Sequence, residues 1–295
     1  MIPEPRKKFD KRTLWPWCEW MTIGIGVLAT DPSLNPARPN RLILMADTMG
    51  SFGDVYSHPR LHKMFVSPEI NMYATAAGGI DRASEMFEMI AANLTVIPVA
   101  SRTYGDCVRS IAAGCFLYKK ERFTLDVLPK YRLPPQDFDP KKVLTPDLDA
   151  KLQAEWREYY VGCDLLIGWF DNNGRAYLFS VDGQEGTVTN QSFPGFDAIG
   201  VTDQAMFWLS YRQQVMGMGL RRAAYHAYEA KLLADKSAHV NEHIDMLIAG
   251  NTEHWFVSTH RPEMGKGSPV SLADLKGWFE KYGPRETSGL DGVAP

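Results

Sequence analysis

The sequence predicts an α+β fold, a four-layer αββα sandwich in which two antiparallel sheets lie between helix layers. Three observations lead there. The β-rich runs come in hairpin-linked groups, not singly alternating with helices, which argues against a parallel doubly wound sheet. The helical patterns come in separate pairs, giving the order strands, two helices, strands, two helices, strands, so each outer face of a sheet pair has helices to cover it. Finally, 295 residues with 45% apolar and 23% charged side chains can bury a sizeable core.

The elements follow in order. Met21 to Ala29 reads as a strand, turn-formers fill 31–40, and Arg41 to Ala46 is a second strand, so the two form a hairpin. Lys63 to Val66 and Met72 to Ala76 are short β-rich runs, the second ending at Gly78-Gly79. Asp81 to Leu94 then shows helical spacing of Ala83, Met86, Phe87 and Ile90, and a long helical pattern runs from Ser101 to Lys120. Between Lys119 and Tyr160, 17 of 42 positions are charged and five are Pro, the mark of an exposed insertion whose last part is a short helix. Cys163 to Asp171, an Asn172-Asn173-Gly174 turn and Ala176 to Val181 make a strand–turn–strand unit. A short strand at Phe196 to Ile199 precedes helices over Gln204 to Val215 and Arg221 to Ala234, followed by strands at Ile244 to Ala249 and Glu253 to Ser258. The final helix, Ser271 to Tyr282, opens with Ser271 and Asp274 three residues on and stops at Gly283-Pro284.

Composition limits the function. With 32 basic and 35 acidic side chains the net charge is −3, which supplies no field for a nucleic-acid backbone. The longest apolar stretch, near Met21 to Ala29, falls short of the roughly 20 residues that span a bilayer, so neither nucleic acid nor membrane is an expected partner. Cys18, Cys107, Cys115 and Cys163 form no Cys-x-x-Cys pair, which fits a reducing cytoplasm. The first twenty residues carry five basic side chains but no secretory apolar stretch. Thr22, after Met21, is small enough for methionine removal, so residues 1–21 read as a propeptide or as an extension the cell never makes.

Thr22-Ile23-Gly24-Ile25-Gly26-Val27 resembles the mature start of proteasome β subunits and of the related bacterial two-ring peptidase, where a threonine heads the first strand. Met45-Ala46-Asp47-Thr48 resembles that family's Ala-Asp-Ser/Thr step, and Lys63 stands sixteen residues beyond Asp47, the family's own interval. Asn71 to Gly79 is similar to its strand into a Gly-Gly turn, and Leu166 to Asp171 and Ala198-Ile199-Gly200 to later landmarks, so the resemblance spans about 22–258. It implies an amino-terminal-nucleophile (Ntn) hydrolase, a threonine endopeptidase in which Thr22 is the nucleophile, its own α-amine the base, Lys63 the group that stabilises the alkoxide, Asp47 the holder of Lys63, and Gly78 the oxyanion donor. It implies no cofactor and no metal, a peptide or unfolded protein as substrate, a homo-oligomeric ring and an ATP-dependent unfoldase as partner.

The sequence also departs from the family. Met21 replaces the small Gly common at processing sites, and Val201-Thr202-Asp203 follow Gly200 where the family has a Ser, leaving Thr202 or Asp203 to substitute. Asp235 and Ser237 resemble the family's supporting Asp and Ser at a spacing of two instead of three. Other readings compete. His239-Val240-Asn241-Glu242-His243 matches the H-x-x-E-H zinc pattern of a metalloprotease, although that pattern needs a helix and a strand begins at Ile244. Cys18 is another amino-terminal nucleophile, set among Trp15, Trp17 and Trp20. His58 and His62 are separated by Pro59, against a regular metal site, and His62 is expected to shape the turn before Lys63. A non-catalytic subunit and a stand-alone Ntn amidase complete the alternatives. The expected organisation is an extension at 1–21, the Ntn-type domain at 22–258 with insertions at 31–40 and 119–160, and a carboxy-terminal extension at 259–295 with one short helix.

Overall fold

The computed structural model describes residues 22–34, 38–48, 50–52, 56–58, 62–133, 145–200, 202–212, 217–234, 243–261 and 265–283. The first two strands, β1 (Ile23–Ala29) and β2 (Arg41–Asp47), are buried along their whole length, so both of their faces must be covered. Side chains alternate across a strand, and the odd-numbered Ile23, Ile25, Val27, Ile43 and Met45 face a helix layer while Leu28, Leu42, Leu44 and Ala46 face the opposite sheet. A short hairpin, β3 (Gly50–Phe52) and β4 (Tyr56–His58), precedes β5 (Met64–Ser67) and β6 (Met72–Gly78). Helices α1 (Ile80–Thr95) and α2 (Tyr104–Asp126) come next, then α3 (Pro146–Glu158). The second half brings β7 (Cys163–Phe170), β8 (Ala176–Val181), β9 (Val188–Asn190), β10 (Phe196–Gly200), α4 (Asp203–Tyr211), α5 (Leu220–Ala234), β11 (Ile244–Ala249), β12 (His254–Ser258) and α6 (Leu272–Tyr282).

Two five-stranded sheets result, ordered β10-β1-β2-β11-β12 and β5-β6-β7-β8-β9, with every neighbouring pair antiparallel. The α4–α5–α6 side covers the first sheet and the α1–α2 side the second, giving the predicted αββα sandwich. The sheets interlock through glycines. A Cβ added at Gly168 would meet the Leu42 side chain at 1.9 Å, and one at Gly26 would meet Leu178 at 2.8 Å, so each leucine occupies a recess in the facing sheet. Helix α5 lies close over β1 and β2 because Ala223, Ala224, Ala227, Ala230 and Ala234 are all fully buried.

Several expectations are refined. Helix α2 continues to Asp126, past the Lys120 end expected for it, after a Thr103–Asp106 capping box. Its extra turns, with α3, give the 119–160 insertion a small core of its own in which Phe123, Val127, Leu128 and Leu152 are buried against Trp156 and Tyr159. The charge and proline content of that segment predicts exposed surface, yet Phe123 packs edge to face with Trp156 and Tyr159. In the carboxy-terminal extension, Val270 and Leu275 are buried in the same cluster as α5, and the Ser271–Asp274 capping box opens α6 as expected. The described residues contain no helix long and apolar enough to cross a membrane.

Candidate active site

Thr22 stands immediately before β1 at one end of the first sheet, 1% exposed. Strand pairing sets its neighbours, since Ile23 is opposite Gly200 on one side and Gly24 is opposite Ala46 on the other. Asp47, the last residue of β2, therefore lies beside the head of β1. One of its oxygens, Oδ1, accepts from the Ile23 N–H at 3.1 Å and from Lys63 Nζ at 2.7 Å. Lys63 belongs to the other sheet's approach, just before β5, so this ion pair crosses the sandwich. Both side chains are essentially inaccessible, at 0% and 1%. Burial pulls the Lys63 ammonium below the usual lysine value, Asp47 pulls the other way, and the like charge of Lys231 adds to the lowering.

Gly78 closes the site from the second sheet. Its N–H donates to Thr22 Oγ1 at 3.2 Å. It holds φ +97°, and a Cβ there would meet the Gly162 carbonyl oxygen at 2.5 Å, so any other residue would be both strained and obstructed. Gly200 is similarly constrained, with φ +82° and the place of its missing Cβ 1.8 Å from the Thr22 carbonyl oxygen. The structure thus gathers Thr22, Asp47, Lys63 and Gly78 at one end of the sandwich, with Gly78 bonded to Thr22 and Asp47 bonded to Lys63 and to the amide of the residue after Thr22. Asp235 and Ser237 lie outside the described residues, as do Cys18, His239 and Glu242. Thr202 is the N-cap of α4 without a side-chain cap hydrogen bond, and Asp203 is the first residue of that helix. His243, the last member of the zinc pattern, immediately precedes β11 and lies tilted against His260 at 4.1 Å between ring centroids. Among the described residues, no group of three or more His, Cys, Asp and Glu is gathered to hold a metal ion.

Two features of this end of the sheet escape the sequence reading. Lys231, on α5, is fully buried and near enough to act electrostatically on Lys63. His62, expected to shape a turn, bonds through Nδ1 to Asp245 Oδ2 at 3.0 Å. The helical spacing of α5 placed Lys231 in a helix but carried no sign of which face met the site.

The layering of two antiparallel five-stranded sheets between helix layers defines the αββα sandwich class. Comparison with solved structures gives the particular relatives. Anbu (Gly-1) mutant from Hyphomicrobium sp. strain MC1 is 15% identical, covering 93% of this chain and 100% of its own, at a TM-score of 0.58. Anbu (ancestral beta-subunit) from Yersinia bercovieri is 14% identical, covering 92% and 99%, at 0.54. Eukaryotic HslV from Trypanosoma brucei is 16% identical, covering 77% and 99%, at 0.49. No protein-family model matches the chain, and no curated protein matches its sequence significantly. The chain has the proteasome β-type, Ntn-hydrolase fold that these Anbu structures share.

Proposed function

We propose that the protein is a threonine-type endopeptidase whose nucleophile is the Thr22 hydroxyl, exposed by cleavage of the Met21–Thr22 bond. The observation that carries this reading is that Gly78 N–H reaches Thr22 Oγ1 while Asp47 holds both Lys63 and the amide of Ile23, the next residue along the chain. Cleavage frees the Thr22 α-amine, whose ordinary pKa near ~8 suits a general base at neutral pH. The amine takes the hydroxyl proton, and the positive charge of Lys63 lowers the cost of the alkoxide. The oxygen attacks the substrate carbonyl carbon, and the developing oxyanion forms close to the Gly78 N–H already directed at Oγ1. The amine then returns its proton to the leaving nitrogen, leaving an acyl ester on Thr22 that water hydrolyses with the same amine as base.

A second reading, a non-catalytic subunit of the same fold, is favoured by the 1% exposure of Thr22 and by Met21 before it. Intact mass of the cell-derived protein separates the two: a chain beginning at Thr22 supports the peptidase, and one retaining residues 1–21 the structural subunit. Under the peptidase reading, Thr22→Ala abolishes peptide hydrolysis while the circular dichroism spectrum and melting are retained. Undiminished hydrolysis by that variant overturns the assignment. By the same reading the substrate is a peptide or unfolded protein, the assembly is a homo-oligomeric ring served by an ATP-dependent unfoldase, and the compartment is the cytoplasm. Native mass measurement tests the ring, since a strictly monomeric active particle points instead to a stand-alone amidase.

A further inference from the structure

A cavity of about 190 Å³ opens at the same end of the first sheet as Thr22, lined by Thr48, His62, Asp245, Phe256, Ser258 and His260 among others, with exposed Arg261 at its rim. Its position follows from strand pairing. Asp47 is opposite Ile244, and Asp245 is opposite Ser258, so the cavity lies beyond β2 on the side of β11 and β12. At ~4.8 Å between strands, the β11 side is about 10 Å from β1, the span of about three residues of extended peptide.

The cavity is built from buried polar groups. Asp245, Ser258 and Thr48 are 7%, 6% and 1% exposed. Asp245 is engaged by His62 at 3.0 Å, and burial, which would raise its pKa, is outweighed by the hydrogen bonds from His62 and Ser258, so the carboxylate stays ionised. An ionised carboxylate only accepts, which places a proton on His62 Nδ1 and leaves Nε2 as the other ring nitrogen. Thr48 Oγ1 lies 3.3 Å from His260 Nε2, the backbone N–H of His260 donates to Ser258 Oγ at 3.2 Å, and the His243 ring lies tilted against that of His260. Phe256 tilts against His62 at 5.4 Å and supplies an apolar wall. Arg261 brings five N–H donors and a fixed positive charge to the same cavity, and His62 and His260 set imidazoles beside it.

We propose that this cavity is a subsite for a carboxylate of the peptide substrate or product, bound by Arg261, His62 and His260 about three residues from the scissile bond. The proposal rests on the peptidase reading for the origin of its ligand, but carboxylate binding itself does not require turnover. An acidic side chain and a free chain terminus present the same group, and small probes distinguish them.

The test uses full-length Thr22→Ala protein, so that loss of catalysis does not obscure binding. The ring C–H resonances of His62 and His260, assigned with His62→Gln and His260→Gln, are followed by NMR during titration with three probes: N-acetyl-glutamate α-amide, N-acetyl-alanine with a free carboxylate, and N-acetyl-glutamine α-amide. The expected result is saturable shifts with one or both carboxylates, none with the glutamine amide, and at least a tenfold weaker fit for Arg261→Gln. Saturation by the glutamate probe alone assigns the site to an acidic side chain, and saturation by the alanine probe to a chain terminus. Absence of shifts with either carboxylate, equal shifts with the glutamine amide, or an unchanged fit in Arg261→Gln overturns the proposal, whatever the fate of the peptidase reading.

Discussion

The two helix layers solve the same packing problem differently. Where α1 meets α2 over the second sheet, the contact is built from Ala83, Met86, Ile90, Cys107, Ile111, Gly114 and Cys115, all apolar and buried. The thiols there are inert, since burial pushes Cys115 up to about 12 and raises Cys107 and Cys163 as well. Over the first sheet, α5 buries His226, Glu229 and Lys231 among its alanines. Glu229, 0% exposed, accepts from Arg212 Nε at 2.5 Å and from the Tyr225 hydroxyl at 2.9 Å, and Arg212 also reaches the Tyr282 carbonyl at the end of α6. The charged layer is the one behind β1 and β2, the strands that carry Thr22 and Asp47. Fold stability and site electrostatics are therefore coupled on that side and separable on the other.

Four substitutions sharpen or break this contrast. Under the peptidase reading, Lys63→Ala should lower kcat/KM for a peptide substrate by at least ~100-fold, because the alkoxide would lose its compensating charge, and Lys63→Arg should restore little of it. A variant with native melting and near-native kcat/KM would remove Lys63 from the chemistry. In the charged layer, Glu229→Ala leaves Arg212 without its carboxylate and should cost about 3 kcal/mol in urea unfolding. A loss under ~1 kcal/mol would mean that the network contributes little. In the apolar layer, Gly114→Ala places a Cβ 2.7 Å from the Ile90 backbone. Helix propensity offsets part of the overpacking, for a net cost of about 1–2 kcal/mol with catalysis unchanged.

The smallest effect concerns pH. Burial, with the nearby Arg222 charge, pushes His226 down to about 4 from the usual 6.5, so the folded chain holds it neutral. Above pH 6.5 neither state binds the proton. As pH falls from 6.5 towards 4, the unfolded chain takes up a proton the folded chain refuses, and stability drops. His226→Gln should reduce the stability difference between pH 7 and pH 5 by on the order of 1 kcal/mol, measured by urea unfolding at both values. An unchanged difference would show that His226 is not the group responsible.

The parts legible in the sequence are those fixed by local spacing. The Ser271–Asp274 box and the helical stripe of Ala83, Met86, Phe87 and Ile90 reappear in the structure, because each depends on residues three or four apart. The three-residue strands β3, β4 and β9 went unseen, since Gly-Ser-Phe, Tyr-Ser-His and Val-Thr-Asn are too short to show alternation. The cluster of Thr22, Asp47, Lys63 and Gly78 could be assembled from a resemblance in order and interval. The pairs His62–Asp245 and Thr48–His260 could not, because their partners are 183 and 212 residues apart and meet only through the pairing of β2, β11 and β12.

The glycine recesses have a metrical consequence. Asp47 and Lys63 approach from opposite sheets, so the length of their contact is inherited from the gap between the sheets, and that gap is gauged by how deeply Leu42 seats at Gly168 and Leu178 at Gly26. A methyl group at either glycine would act as a shim. It would pry the layers apart near the sandwich centre and lengthen a 2.7 Å ion pair at its end, detuning the proposed site from a position that touches none of its atoms.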